Sequence, residues 1–124
     1  MRQRSRGREC ALQILYQIDI RHGQAAQVGE TFWQQHEAPA DVRAFAEQLS
    51  QGVVEHLGEI DPVIRKHASN WDIKRMAVID RNILRLGVFE LLYAVDMPPK
   101  VCINEAVELA KRFGDAESGR FING

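Results

Sequence analysis

Apolar residues recur every three or four positions along most of this chain, and no sustained alternation of apolar and polar residues interrupts the pattern. Spacing of this kind places apolar side chains on one face of a helix, whereas a half-buried strand needs alternation. The clearest run predicts a long amphipathic helix that ends near Gly58. Its members are Val42, Phe45, Leu49, Val53 and Leu57. The periodicity therefore predicts an all-α fold.

Glycine and proline divide this pattern into short helices. Asp61-Pro62 predicts a helix start, because Asp can cap a helix and Pro suits its first turn. Residues 76–92 are apolar on more than one side, which is typical of the buried central helix of a bundle. A last helix is expected over residues 115–122. The other predicted boundaries lie at Gly23, before Pro39, at Pro98-Pro99 and at Gly114.

The composition is that of one globular domain, residues 1–124, with 45% hydrophobic and 27% charged residues. No apolar run approaches the roughly 20 residues that span a bilayer, and no secretory signal follows the N-terminal arginines. Cys10 and Cys102 form no closely spaced pair, so neither a zinc site nor a disulfide framework is predicted. We therefore expect a cytoplasmic protein with reduced thiols.

The sequence carries no constellation typical of an enzyme. It has no phosphate-binding loop, no dinucleotide fingerprint, and no nucleophile-elbow or zinc-protease motif. Glu105 and Glu108 imitate a carboxylate pair, but Glu108 also precedes Arg112 by four residues, which is a favourable surface pairing. We interpret both glutamates as part of a solvated face. The histidines are scattered, so no metal or cofactor is expected; they are His22, His36, His56 and His67.

Positive charge is concentrated at the N-terminus, in a basic arm over residues 1–8. This arm holds four of the 16 Lys and Arg residues, so that 12 remain against 17 Asp and Glu. The four are Arg2, Arg4, Arg6 and Arg8. Guanidinium groups form bidentate hydrogen bonds with phosphates and stack on bases, so the arm suits nucleic acid. A solubilising, disordered tail is the open alternative.

A second cationic stretch lies near the C-terminus, where an aromatic accompanies Lys and Arg. Exposed aromatics beside Arg are typical of single-strand binding, in which a base stacks on the ring. The alternative for Phe121 is a core position in the last helix. The candidate residues are Lys111, Arg112, Glu117, Ser118, Arg120 and Phe121.

Four blocks of the sequence closely resemble the NusB family, and together they extend over essentially the whole chain. Residues 103–111, Ile-Asn-Glu-Ala-Val-Glu-Leu-Ala-Lys, followed by Phe113-Gly114, are the most specific part, and residues 24–60 are the least specific. The blocks are residues 8–16, residues 80–86 with Glu90-Leu91, residues 99–111, and residues 113–114 with 121–124.

The resemblance implies two small three-helix bundles around a long central helix. It also implies binding of single-stranded boxA RNA, an element of ribosomal RNA leader transcripts. The partner in the family is NusE, a small-subunit ribosomal protein that acts with RNA polymerase in an antitermination complex. The Arg-rich N-terminus of the family contacts RNA, and a C-terminal aromatic stacks on it, which matches Phe121, beside an acidic position that matches Glu117. The partner surface matches Tyr16 and the neighbourhood of Asp80.

Two departures from the family pattern affect the expected RNA binding. Gln3, Ser5 and Gly7 interrupt the arginine run, which is expected to weaken binding by this chain alone. The family pattern also continues beyond Gly124, and loss of that continuation would fray the last helix and loosen the RNA surface.

Two other functions stay open. One is a NusB-like RNA-binding accessory domain of a ribosomal RNA methyltransferase, although 124 residues leave no room for a methyl-donor domain. The other is a dimerising helical module, which leaves both a monomer and a homodimer open. No enzymatic activity of the chain itself is expected.

Overall fold

The computed structural model describes residues 2–21, 25–67, 77–93 and 98–113, and within these ranges every regular element is an α-helix. This confirms the predicted all-α fold. None of the described helices is long and apolar enough to cross a membrane. The helices are α1 (Arg2–Arg21), α2 (Ala25–Gln35), α3 (Ala40–Glu55), α4 (Leu57–His67), α5 (Val78–Tyr93) and α6 (Pro99–Phe113).

Helices α1, α2 and α3 form the first bundle, in which each helix packs on the other two. Phe32 of α2 is almost completely buried there and meets the neighbouring Trp33 ring edge to face at 4.9 Å. The apolar faces of α1 and α3 supply most of the remaining core. Their buried apolar residues are Ala11, Leu12, Ile14, Leu15, Val42, Ala46, Leu49 and Val53.

Helix α5 is the central element, because it contacts α1, α3, α4 and α6. Ile83 and Leu86 are buried along it, as the apolar character of residues 76–92 predicted, but Leu91 and Leu92 near its end are exposed, contrary to that prediction. Two polar residues of α5, Asn82 and Glu90, are buried as well. Helices α4 and α6 both pack on α5 and build the second half of the molecule around it.

The predicted start of α4 at Asp61-Pro62 is wrong, and so is the predicted end of the preceding helix near Gly58, because α3 ends at Glu55 and Leu57 and Gly58 belong to α4. The His56 carbonyl accepts hydrogen bonds from the amides of Glu59 and Ile60, so the new helix begins directly after α3, at Leu57. Pro62 therefore lies inside α4, where its missing N–H removes one helical hydrogen bond. Asp61 does not cap a helix but binds Arg85 of α5 at 2.9 Å, which fixes α4 against the central helix.

Residues 2–8, which were expected to form a basic arm, are the first turns of α1. Gly7 lets these turns pack closely on α3, because an added Cβ atom there would be 2.6 Å from Cδ2 of Phe45. The last helix expected over residues 115–122 lies outside the described residues, and so do Gly23, Glu117, Ser118, Arg120 and Phe121.

Candidate nucleic-acid interface

Arg8 is not a surface residue, contrary to its expected role as an RNA contact. Its side chain is 2% exposed and forms a bidentate pair with Glu90 of α5, which is 5% exposed, at 2.8 and 2.9 Å. Burial lowers the pKa of the Arg8 guanidinium, but the hydrogen bonds and charges of Glu90 and Glu105 outweigh burial and raise it. Arg8 therefore stays charged and holds α1 to α5, where it cannot reach a phosphate.

Glu105 belongs to this contact and not to a solvated face, so that interpretation was wrong for Glu105. One oxygen of its carboxylate lies 3.8 Å from Arg8, and the Ser5 hydroxyl donates to the carboxylate at 3.2 Å. The other glutamate, Glu108, is exposed as expected, but it pairs with Lys111 at 3.5 Å, while Arg112, its expected partner, binds Glu9. The spacing of residues within one helix could not predict this contact, because the contact joins two helices, α1 and α6.

Arg4 and Arg6 are exposed at the start of α1, unlike Arg8. The Arg4 guanidinium lies 5.3 Å above the Phe45 ring, which is a cation–π distance. Arg6 donates one hydrogen bond, of 3.0 Å, to the Glu37 carbonyl. Arg2 begins the same helix. Two of the predicted arginines are thus presented to solvent while one is buried.

The end of α6 lies beside this part of α1. Arg112 is exposed and forms an ion pair of 2.5 Å with Glu9, in addition to the Ser5–Glu105 contact one turn earlier on α1. Because both contacts advance in the same direction along the two helices, α1 and α6 run parallel here. The ion pair therefore places Arg112 beside the N-terminal half of α1, although 103 residues separate it from Glu9 in the sequence. Lys111, the residue before Arg112, is exposed.

Tyr16 and the start of α5 meet at the other end of α1. Tyr16 is 38% exposed and lines a mainly apolar cavity of about 450 Å³. Asp80 lies half-buried in the first turn of α5, next to Ile79, which also lines this cavity. The other lining residues, which sequence reasoning missed, are Gln13, Gln17, Ile20 and Phe113. We call this surface the Tyr16 groove.

An ion-pair network fixes the helices beside the Tyr16 groove. Asp19 accepts hydrogen bonds from Arg81 at 2.7 Å and from Asn82 at 3.1 Å, and Arg85 joins Asp19 to Asp61 of α4. Burial raises the pKa of the Asp19 carboxyl, but its bonds to Arg81 and Asn82 outweigh burial and lower it. Asp19 therefore stays ionised at neutral pH and links α1 to α5.

Neither metal nor thiol chemistry is indicated at these surfaces. In the part of the chain that the structure describes, no group of His, Cys, Asp and Glu residues is arranged to hold a metal ion. Cys10 and Cys102 are free thiols, and burial raises the pKa of both, which disfavours the reactive thiolate.

Comparison with known proteins decides the family. The model of the NusB family matches residues 5–124. The chain belongs to the NusB family. Membership confirms the family that the sequence blocks indicated, and it confirms that the chain is not an enzyme.

Relatives in the NusB family are similar along the whole chain. The chain is 45% identical over 124 residues to the transcription antitermination protein NusB of Syntrophus aciditrophicus, covering all of this chain and 77% of that protein. It is 48% identical over 125 residues to the NusB of Myxococcus xanthus, covering 98% of this chain and 89% of the relative.

Solved NusB structures share the fold. The chain superposes on Thermotoga maritima NusB with a TM-score of 0.88 and 35% identity, covering 98% of this chain and 85% of that one. A crystal structure of the antitermination factors NusB and NusE in complex with double-stranded RNA gives a TM-score of 0.89 at 32% identity, covering all of this chain and 92% of the matched one.

Proposed function

We propose that the chain is a transcription antitermination factor that binds single-stranded boxA RNA together with NusE. The observation that carries the proposal is the contact between the start of α1, where Arg4 and Arg6 are exposed, and the end of α6, where Arg112 is exposed. NusB relatives are transcription antitermination proteins, and one similar structure holds NusB with NusE and RNA. The proposed place of action is the RNA polymerase antitermination complex in the cytoplasm.

The proposed RNA path begins at Arg4 and Arg6 and continues past Lys111 and Arg112. Arginine suits a phosphate backbone because its planar fork donates two parallel hydrogen bonds. Glu9 and Glu108 already neutralise part of the charges of Arg112 and Lys111, so Arg4 and Arg6 carry the larger share. Two phosphate contacts would give a log–log salt slope of roughly −1.4 for a single strand. From the sequence pattern, we propose that Arg2, Glu117, Ser118, Arg120 and Phe121 extend this surface.

We propose the Tyr16 groove as the docking surface for NusE. Tyr16 and Ile20 are exposed one turn apart on α1, and an exposed tyrosine beside an apolar groove is typical of protein interfaces. The network of Asp19, Arg81 and Arg85 holds the walls of the groove in place, so little ordering free energy is lost on docking. The partner surface would then lie toward the C-terminal end of α1, and Phe113 brings it next to Arg112, at the α6 edge of the RNA surface.

The test is fluorescence anisotropy of a labelled boxA strand, titrated with the protein with and without NusE at two salt concentrations. We expect binding that tightens with NusE and weakens as salt rises. A scrambled strand and a boxA duplex are the matched controls, because a single strand is read through its unstacked bases. Equal affinity for all three RNAs would contradict boxA recognition. Light scattering on the same samples gives the oligomeric state, which we propose to be monomeric when RNA is bound.

A further inference from the structure

A second cavity, separate from the Tyr16 groove, lies between the start of α1 and the connection from α2 to α3. Its volume is about 450 Å³, which is in the usual range of about 300–1,000 Å³ for small-molecule sites. Of its lining residues only Arg6 belongs to the RNA path proposed above. The lining residues are Arg6, Trp33, His36, Glu37, Ala38, Pro39 and Arg43. We call it the Trp33 cavity.

Two arginines from different helices line the Trp33 cavity. Arg6 uses one of its five N–H donors on the Glu37 carbonyl, and Arg43 uses one on Glu47 at 3.3 Å. The Arg43–Glu47 pair is about half exposed, and pairs of this kind bind weakly, so Arg43 can turn to an anion at little cost. Both guanidiniums therefore keep donors for a phosphate, and Glu37 is the one carboxylate among the described lining residues.

The start of α3 adds partial positive charge at the same place. Pro39 lines the cavity and is the N-cap of α3, and no side chain caps this end through a hydrogen bond from the cap position. The first amides of a helix attract anions, although Asp41 in the first turn accepts from the Val42 amide and offsets part of this effect. The arginines remain the main anion ligands.

A flat aromatic ring forms another wall. His36 is exposed and stacks on Phe32 at 4.2 Å with an interplanar angle of 11°. Its Nδ1 lies 3.1 Å from the Phe32 carbonyl and donates to it, which fixes the orientation of the ring. Trp33 stands beside it, with the Arg43 guanidinium 5.5 Å above the indole. Unstacked RNA bases are bound by aromatic and guanidinium planes of this kind.

We propose that the Trp33 cavity binds one unstacked nucleotide of the RNA, with its phosphate between Arg6 and Arg43 and its base against His36. The cavity is continuous with the RNA path because Arg6 belongs to both. The inference rests on the proposed RNA binding and deepens it. It predicts that the RNA footprint extends from α1 across the connection between α2 and α3, in addition to the side that α6 supplies.

The first test replaces Arg43, the proposed phosphate ligand that does not belong to the RNA path. Arg43→Gln is expected to weaken binding of the boxA strand by about threefold to fivefold and to reduce the salt slope by about 0.7. Arg65→Gln is the matched control, since Arg65 is an exposed arginine on α4 that does not line the cavity. If both variants bind equally well, the cavity is not part of the footprint.

The second test concerns the base. His36→Ala is expected to lower RNA affinity by about fivefold or more, and His36→Phe is expected to restore it, because a phenyl ring also stacks on a base. Thermal unfolding of both variants shows whether the ring matters only for stability. Equal losses of RNA affinity in the two variants would overturn stacking on this residue.

Two further comparisons separate nucleotide binding from simple anion binding, and failure of the cavity proposal from failure of the proposed function. Uridine monophosphate and inorganic phosphate are titrated separately while the NMR signals of the His36 ring are followed. Shifts with the nucleotide but not with phosphate support the proposal, and equal shifts with both mean that the cavity takes a bare anion. If Arg4→Gln weakens RNA binding while Arg43→Gln and His36→Ala do not, the cavity proposal fails and the proposed function stands. If the unmodified protein binds no RNA, both fail.

Discussion

The two ends of helix α1 carry surfaces of opposite character. At the N-terminal end Arg4 and Arg6 are exposed, and their side chains lie against Phe45 and the Glu37 carbonyl. At the C-terminal end Tyr16 and Ile20 border an apolar groove, and the nearby Asp19 is neutralised by Arg81 and Arg85. One rigid helix therefore offers a salt-sensitive surface and an apolar one, so binding at each end can be altered separately.

The largest expected effect comes from the buried pair that anchors the N-terminal end. Glu90→Ala leaves Arg8 buried without its bidentate partner, and loss of one member of a buried pair costs about 3–5 kcal/mol. Urea unfolding measures this loss. The double variant Arg8→Met with Glu90→Leu is the control, because replacing a buried pair by apolar side chains is often neutral. If Glu90→Ala is as stable as the double variant, the Arg8–Glu90 pair does not anchor α1 to α5. The buried Arg8 and the exposed Arg4 and Arg6 would then not differ in role.

The next effect comes from the close approach of α1 to α3. In Gly7→Ala the new methyl group would meet the Phe45 ring, and overpacking of this kind costs about 1–3 kcal/mol. Gly29→Ala on α2 is the matched control, since nothing lies within 4 Å of its added Cβ atom, and helix propensity predicts a gain of up to about 1 kcal/mol. Thermal unfolding compares the two. A stabilised Gly7→Ala protein would mean that the first turns of α1 are not packed on α3.

Local sequence patterns predicted the helices correctly where no distant residue competed for the same side chain. The spacing of Val42, Leu49 and Val53 predicted α3, and the apolar character of residues 76–92 predicted the central position of α5. The start of α4 was mispredicted because Asp61 has a distant partner: its carboxylate binds Arg85, 24 residues later in the chain, instead of capping a helix. A capping signal in the sequence does not show whether such a partner exists.

The candidate site was predictable in composition but not in the role of each residue. The Arg-rich start pointed to a cationic surface, yet Arg4, Arg6 and Arg8 look equivalent in the sequence. Their difference arises from Glu90 and Glu105, which lie more than 80 residues away and meet Arg8 only in the folded chain. The Trp33 cavity was missed for the same reason, because Arg6 and Arg43 come together only through packing of α1 on α3.

At the C-terminal end of α1, Tyr16→Ala tests the Tyr16 groove. We expect affinity for NusE to fall about tenfold, since a tyrosine at the centre of an interface is often worth 1–2 kcal/mol. Binding of boxA RNA by the protein alone should not change, and the loss should depend little on salt because no charge is removed. Isothermal titration with NusE at two salt concentrations measures both. Gln51→Ala, an exposed position on α3 outside the groove, is the control, and an equal loss there would contradict docking at Tyr16.

At the N-terminal end, Arg4→Gln is the smallest expected effect and the most specific one. The side chain is exposed and lies over Phe45, so stability should change by less than about 1 kcal/mol. RNA affinity should fall about threefold to fivefold, and the log–log salt slope should lose about 0.7, the value for one phosphate contact on a single strand. Affinity for NusE in the absence of RNA should be unchanged.

Arg4→Lys keeps the charge but not the planar fork, so it separates the two properties: a retained slope with reduced affinity indicates bidentate binding. If Arg4→Gln keeps the salt slope of the unmodified protein, the RNA does not contact Arg4 at the start of α1. The difference between the two ends of the helix would then rest on the Tyr16 groove alone.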